Sequence, residues 1–360
     1  MQILTGIVDF SLRKLTQNFF GVTYLKKILL LLLVCTLLAG AAISVYAYGR
    51  AFRPTAEQDE ILNCLILGAD ESSGNTDVMI LAAYRPTEKS ITLMQIPRDT
   101  YYGANGQGMK INHLYPSCRM QGMDEKNAIS FTADAISAAF SVPIHGALLV
   151  HLDTLSDFVD AIGGVPMNVP SPMQYRDEAQ GLVIDLPAGE RTLTGKEAVQ
   201  FVRFRADYLM GDIARLDAQK IFLASLYEKL KSTPNALEVA VATLQSGSCV
   251  FSAKDPSWLT PTLARAYFDR SDMQLAFLSM PGEASLSDGV WYYTPNKKAL
   301  ATVLSERFSV GSLTPDSVDL NGTLCKEDDP TMKNIYFSNG YAYKIYTPKE
   351  IKDIIITKKE

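Results

Sequence analysis

The chain has 360 residues, a formal net charge of -5 and 47% hydrophobic side chains, a length that suits one large domain or two ordinary ones. Its acidic balance excludes the basic footprint of a nucleic-acid binder, so no nucleic acid is expected among its partners. The cysteines at 35, 64, 118, 249 and 325 follow neither a CxxC nor a Cys/His metal spacing. Most read as small buried hydrophobes, with a bridge between two of them left open.

Residues 1–27 form a leader that carries Arg13, Lys14, Lys26 and Lys27. Next come 21 residues without a charge, Ile28 to Tyr48, enough at about 1.5 Å each to cross a hydrocarbon core of roughly 30 Å. A signal-peptide core is shorter, about 7–15 residues, so the spacing predicts a single transmembrane helix over 28–48. Four cations before it and two, Arg50 and Arg53, after it put the leader in the cytoplasm and the remainder outside. Residues 49–60 are polar with an early proline and read as a linker.

From Ile61 to Thr100 the pattern predicts three strands, Ile61–Leu67, Val78–Tyr84 and Ser90–Ile96, since short apolar runs bounded by Gly, Asn and Pro are too short for helices. The turn RPTEKS makes the second and third antiparallel, which sets Pro97-Arg98-Asp99 beside Asn75-Thr76-Asp77. Asp70 leaves the first strand at the same edge. Carboxylates and an arginine therefore converge on loops above a sheet, a common place for a site. Tyr101 to Gly122 shows no period and reads as a loop, with Lys110-Ile111-Asn112-His113 its compact polar group.

A helix follows over Asn127–Phe140, then a strand within Val142–Leu152, then a helix begun at Asp153-Thr154 and ended by Gly163-Gly164. Val165–Val169 returns to strand composition. Thr194 and Glu197 have the spacing of a capping box. Val199 to Arg205 alternates apolar and cationic residues at the period of a strand, which would set Arg203 and Arg205 on one face. Two such forks suit phosphate oxygens. Gly211–Leu230 reads as a long helix with Asp212, Arg215 and Gln219 on one stripe, either solvated or part of a site. Beyond Ser232 the pattern predicts helices over Ala236–Leu244, Ser257–Tyr267 and Asn296–Phe308, a strand over Met273–Met280, and a hairpin about Asn339-Gly340 in the tail 313–360.

Only three histidines occur, at 113, 145 and 151, and there is no GxSxG, HExxH or Walker sequence, which disfavours acid-base work by a histidine triad. His151 reads as a packed residue. Asp70, Asp77, Arg98, Asp99, Arg203, Arg205, Asp212 and Arg215 are instead the charged groups on offer. A pair of carboxylates suits Mg²⁺ shared with substrate phosphates, and the arginines suit a diphosphate whose charge grows as a P–O bond breaks.

The segments ILGAD, NTDVMIL, IPRDTY, KINH, FVDAIGGVPMNV, LTGKEAVQFVRFR and GDIARLDAQKIF, in this order after one apolar segment, resemble the LytR-CpsA-Psr family of cell-envelope proteins. The resemblance implies an α/β fold, a three-layer α/β/α sandwich around a central mixed sheet, occupying 61–312 with its motifs in 61–230. It also implies a membrane-anchored, Mg²⁺-dependent phosphotransferase. Such an enzyme moves a glycopolymer, a teichoic acid or capsule chain, from a polyprenyl-diphosphate carrier to peptidoglycan at the outer membrane face.

Matched position by position, Asp70 and Asp77 are the implied metal ligands, and Arg98, Arg203 and Arg205 the diphosphate clamp. Asp99 is a candidate proton acceptor or a residue that orients Arg98. Lys110, Asp212, Arg215 and Gln219 match positions that support or contact the phosphates. Asn75 stands where the family usually has an arginine. A hydrolase that gives the phosphoryl group to water, a non-catalytic lipid-diphosphate binder and a transcription regulator are the alternative readings, the last disfavoured by the acidic balance.

Overall fold

The computed structural model describes residues 61–69, 74, 76–104, 107–178, 182–205, 212–287, 289–320 and 344–352. The expected membrane helix 28–48, the linker 49–60, Asp70, Asn75 and the tail hairpin lie outside the described residues. The chain divides into two units, Met1–Gln58 and Asp59–Glu360, and every described residue belongs to the second. Among the described residues no helix is long and apolar enough to cross a membrane.

In chain order the elements are β1 (Leu62–Ala69), β2 (Thr76–Arg85), β3 (Ser90–Gln95), β4 (Tyr101–Ala104), β5 (Gln107–Lys110), α1 (Leu114–Met120), α2 (Glu125–Phe140), β6 (Gly146–His151) and α3 (Leu152–Ala161). Then follow β7 (Val165–Val169), β8 (Met173–Asp177), β9 (Leu182–Leu186), β10 (Gly189–Leu193), α4 (Gly195–Arg203), α5 (Asp212–Ser232) and α6 (Ala236–Gln245). Last come β11 (Cys249–Ala253), α7 (Leu259–Phe268), β12 (Gln274–Ser279), β13 (Gly282–Ser287), β14 (Val290–Pro295), α8 (Lys297–Arg307) and α9 (Pro348–Lys352).

A six-stranded sheet in the order β11-β6-β1-β2-β3-β12 forms the centre. It is mixed, since β1 with β6 and β3 with β12 run parallel while the other neighbours run antiparallel. The alternation of side chains along each strand explains its two apolar faces. Leu65, Leu67, Leu81, Met94 and Leu149 pack with Ile129, Ile136 and Phe140 of α2 and Leu300 and Leu304 of α8. The neighbouring positions Ile91, Leu93, Leu275 and Phe277 pack instead with Leu223, Ala224 and Tyr227 of α5 and with Ile351 of α9. A third cluster joins α3, α4, β7 and the first half of α5 through Val159, Val165, Phe201, Phe204 and Ile221.

The three opening strands and their hairpin stand where the sequence placed them, with Ile80 paired to Gln95 and Arg85 to Ser90. Two stretches differ. Tyr101–Gly122, expected as a loop, forms the β4–β5 hairpin and α1, because Tyr102, Ile111, Leu114 and Tyr115 all reach the core and fix it. Val199–Arg203 is the end of helix α4 and not a strand. The capping box fixes the helical start there, and Ala198, Phe201 and Val202 bury one helical face against the third cluster, which overrides the local alternation. Packing also continues past residue 312: Val318 and Leu320 are fully buried in the first cluster.

Candidate active site

The site lies at the edge where β1 and β3 end and β2 begins. Asp77, the second residue of β2, accepts a bond at Oδ1 from Arg98, 2.7 Å away, just beyond β3. This is the contact that the antiparallel hairpin dictates. Arg98 Nε also lies 3.8 Å from Asp99 Oδ1, and Lys110 Nζ approaches the same oxygen at 2.9 Å. A line of alternating charge, Asp77, Arg98, Asp99, Lys110, thus runs along the edge.

Arg215 comes to this line from the first turn of α5. Its NH2 donates to the backbone oxygen of Asp77 at 3.4 Å, and its NH1 lies 4.0 Å from Oδ2. Gln219, one turn on, accepts from Gln95 Nε2 and donates to the Val202 carbonyl, both at 3.3 Å. Arg215 and Gln219 are each only 4% exposed, so the stripe belongs to an interior site and not to a solvated helix face. Asp212 begins α5, and its side chain lies outside the described residues. The parts that sequence reading missed here are Gln95, an inward polar residue on a strand read only as apolar, and the Val202 carbonyl.

Arg203 and Arg205 arrive by a different route from the expected strand. Thr194 caps α4 by accepting from the Glu197 N–H, and the Glu197 carboxylate accepts from the Thr194 N–H at 2.9 Å and from Arg191 at 2.8 Å. Gly195 sets the helix against α3, where a Cβ would lie 2.1 Å from the Ser156 carbonyl oxygen, and its N–H donates to Asp160 at 2.7 Å. The helix ends at Arg203. Phe204, fully buried, takes extended backbone with ψ 133° and carries the chain to the exposed Arg205. The helix end and the turn to extended backbone bring both arginines to the same cavity; Val202 lines it too, as the strand register had not allowed.

That cavity holds about 220 Å³ and lies between the sheet, α5 and the β8–β9 hairpin. Asp77, Arg203, Arg205, Arg215 and Gln219 line it together with Ile66, Ile80, Val150, Leu155, Leu182, Phe222, Leu223 and Leu226. Along α5 the lining runs from Arg215 and Gln219 to Phe222 and Leu226, about 16 Å at 1.5 Å per residue. Along β2 it runs from Asp77 to Val78 and Ile80. Both elements grade from charge to hydrocarbon in the same way, so the cavity has an ionic end and an apolar end. Its ionic end also receives the start of a 21-residue helix, whose dipole favours an anion. The β8–β9 hairpin was not foreseen, although Leu182, Ile184 and Leu186 alternate as a strand should.

His151 lines the cavity, and its Nε2 lies 3.6 Å from Glu125 Oε1. Among the described residues no group of three or more His, Cys, Asp and Glu side chains gathers to hold a metal. Of the two expected ligands, Asp77 is the described one, and it would hold Mg²⁺ shared with ligand oxygens. Asp77 fits that use, since its side chain keeps 36% of its surface open beside the cavity. Asp70, the other expected ligand, lies outside the described residues.

The cavity of this mixed α/β protein thus brings three arginines, Arg203, Arg205 and Arg215, and two carboxylates, Asp77 and Asp177, together with an apolar wall. The chain belongs to the LytR_cpsA_psr family, whose model matches residues 42–308. It is 27% identical over 254 residues to the polyisoprenyl-teichoic acid–peptidoglycan teichoic acid transferase TagU of Oceanobacillus iheyensis, which covers 69% of this chain and 76% of that protein. Among solved structures it is similar to a transcriptional regulator (EF0465) from Enterococcus faecalis, with a TM-score of 0.58, 17% identity and coverage of 72% of this chain and 91% of that one. TagT bound to LIIa-WTA has a TM-score of 0.53, 20% identity and coverage of 71% and 93%. These two structures share the fold.

Proposed function

We propose that the chain transfers a glycopolymer from a polyprenyl-diphosphate carrier to a hydroxyl of peptidoglycan. The observation that carries this reading is the graded cavity: Arg203, Arg205 and Arg215 match a diphosphate in charge, and Ile80, Phe222, Leu223 and Leu226 match an isoprenoid tail. The name of the Oceanobacillus relative, a polyisoprenyl-teichoic acid transferase, agrees with it. A teichoic acid is accordingly the first polymer to test.

In this reading the attacking hydroxyl approaches the phosphorus next to the glycan in line with the bond to the lipid phosphate. The arginines hold the diphosphate in the ground state and neutralise charge on the departing polyprenyl phosphate, where preorganised donors contribute most. Arg98 spans Asp77 and Asp99, so it orients the carboxylate beside the cavity. Asp99 stands next to the ionic end as the candidate acceptor of the hydroxyl proton. Mg²⁺, when bound through Asp77 and Asp70, would add neutralising charge at the phosphates. A membrane anchor over 28–48 would keep the catalytic unit 61–312 where both substrates reside, a gain in proximity.

The test is mass spectrometry of the peptidoglycan from a strain that lacks the chain, complemented with wild type or with Asp77→Ala. Polymer-linked muropeptides should fall in the deletion and return only with wild type. Polymer that is released but never linked would point to water as the acceptor, and an unchanged linked fraction would defeat the proposal.

A further inference from the structure

Beyond the donor cavity, the charged edge continues into an aromatic surface that the reading above leaves unused. Tyr293 donates its backbone N–H to the Asp99 carbonyl at 2.8 Å and bridges Thr100 in parallel, so β14 runs beside the segment that carries Asp99 into β4. Thr100 and Tyr293 are buried. Side chains alternate along extended backbone, so their neighbours Tyr101 and Tyr292 share the other, outer face. There the two rings meet edge to face, with centroids 5.2 Å apart at 75°. Tyr101 stands directly opposite Lys110 in the β4–β5 pair, and Lys110 holds Asp99 at 2.9 Å. The Tyr101 ring lies against Gly108, where a Cβ would come within 2.4 Å of it, so its position is fixed by the backbone beneath. Both tyrosines are half-buried.

We propose that Tyr101 and Tyr292 form a saccharide subsite that holds the acceptor glycan, with the Asp99–Lys110 pair at the end where its reacting hydroxyl enters. This rests on the transfer reaction proposed above. Flat aromatic faces suit the C–H face of a pyranose, and an ion pair at the edge of the rings suits its hydroxyl and amide groups. The side of the site decides between acceptor and donor. The lipid phosphate leaves toward the apolar cavity, and in-line attack brings the hydroxyl from the opposite direction. Arg98 separates Asp77, at the cavity, from Asp99, and the tyrosines adjoin the Asp99–Lys110 pair and do not line the cavity. Leu286 and Trp291, paired across the same hairpin, project from its other face, so the 60% exposed Trp291 is not part of the subsite.

The test uses the full chain in detergent and a β-1,4-linked tetrasaccharide of N-acetylglucosamine and N-acetylmuramic acid as probe, with calorimetric binding and transfer kinetics at saturating donor. Tyr292→Ala and Tyr292→Leu should weaken saccharide binding and raise the acceptor KM by about three- to tenfold, the scale of a lost aromatic contact. The donor KM should hold, Tyr292→Phe should retain wild-type values because it keeps the ring, and Trp291→Ala should bind as wild type does. A raised donor KM with an unchanged acceptor KM would assign the surface to the donor polymer and overturn the proposal. So would equal saccharide affinity in wild type and Tyr292→Ala. Binding is read without turnover, so a wild-type chain that binds the tetrasaccharide but transfers nothing would defeat the proposed reaction and not the subsite.

Discussion

At the scale of single residues, Asp77 is the hinge of the account, because it touches Arg98 and Arg215 and faces the cavity at once. Its partners are largely buried, with the Arg98 side chain 20% and the Arg215 side chain 5% exposed, so Asp77→Asn should lower the thermal midpoint by several degrees while the chain still folds. The same variant should abolish transfer in the purified enzyme, and retained turnover would show that the carboxylate serves structure alone. Arg203→Ala and Arg205→Ala should each weaken binding of a polyprenyl diphosphate by about 1.5–3 kcal/mol, the value of a charge-assisted hydrogen bond. Lysine in either place should restore only part of the affinity, since a point charge lacks the fork.

The tyrosines give a pH signature at the same scale. Burial pushes the hydroxyls of Tyr84, Tyr115 and Tyr227 up to about 12. Their unfolded value is near 10, so the folded state holds these protons more tightly. The stability they contribute is complete below about pH 10 and is lost as pH rises toward 12. Thermal midpoints measured between pH 9 and 12 should therefore fall steeply above 10; a flat profile would contradict this burial.

Among the elements, α4 shows what a sequence can and cannot reveal. Its start was legible, because the Thr194 capping box is a local device. Its continuation through Arg203 was not, because a seven-residue alternation fits a strand as well as a helix until the packing of Phe201 and Val202 decides. The same holds for β4–β5 and α1, whose order comes from core contacts far away in the chain. By contrast the β2–β3 hairpin and the nearness of Arg98 to Asp77 follow from one turn and were readable, though the direct bond between the two was not. The burial of Arg215 and Gln219 was legible only as an alternative, since a polar stripe does not say what covers it. Two variants test α4 as the support of the clamp. Thr194→Ala should cost about 1 kcal/mol, the usual loss of a cap. Gly195→Ala should cost about 1–3 kcal/mol through overpacking and should also weaken diphosphate binding, because the Ser156 carbonyl would push the helix and Arg203 away. A stable Gly195→Ala chain with full affinity would mean that α4 does not set the position of Arg203.

On the scale of the whole molecule, the mixed sheet supplies a rigid floor and places its strand ends beside the first turn of α5. The floor and the helix then grade together from charge to hydrocarbon, which makes one cavity serve the two halves of an amphipathic ligand. That arrangement is the central claim, and photo-crosslinking tests it most directly. A polyprenyl diphosphate with a diazirine on its first isoprene unit would be irradiated with the full chain, and the labelled peptides mapped by mass spectrometry. Label should fall on the α5 segment that holds Phe222, Leu223 and Leu226, reduced by excess unlabelled ligand and by Arg203→Ala. Label confined to other surfaces, such as the exposed Leu286–Trp291 pair, or label on α5 that survives loss of Arg203 and of Arg205 together, would contradict it.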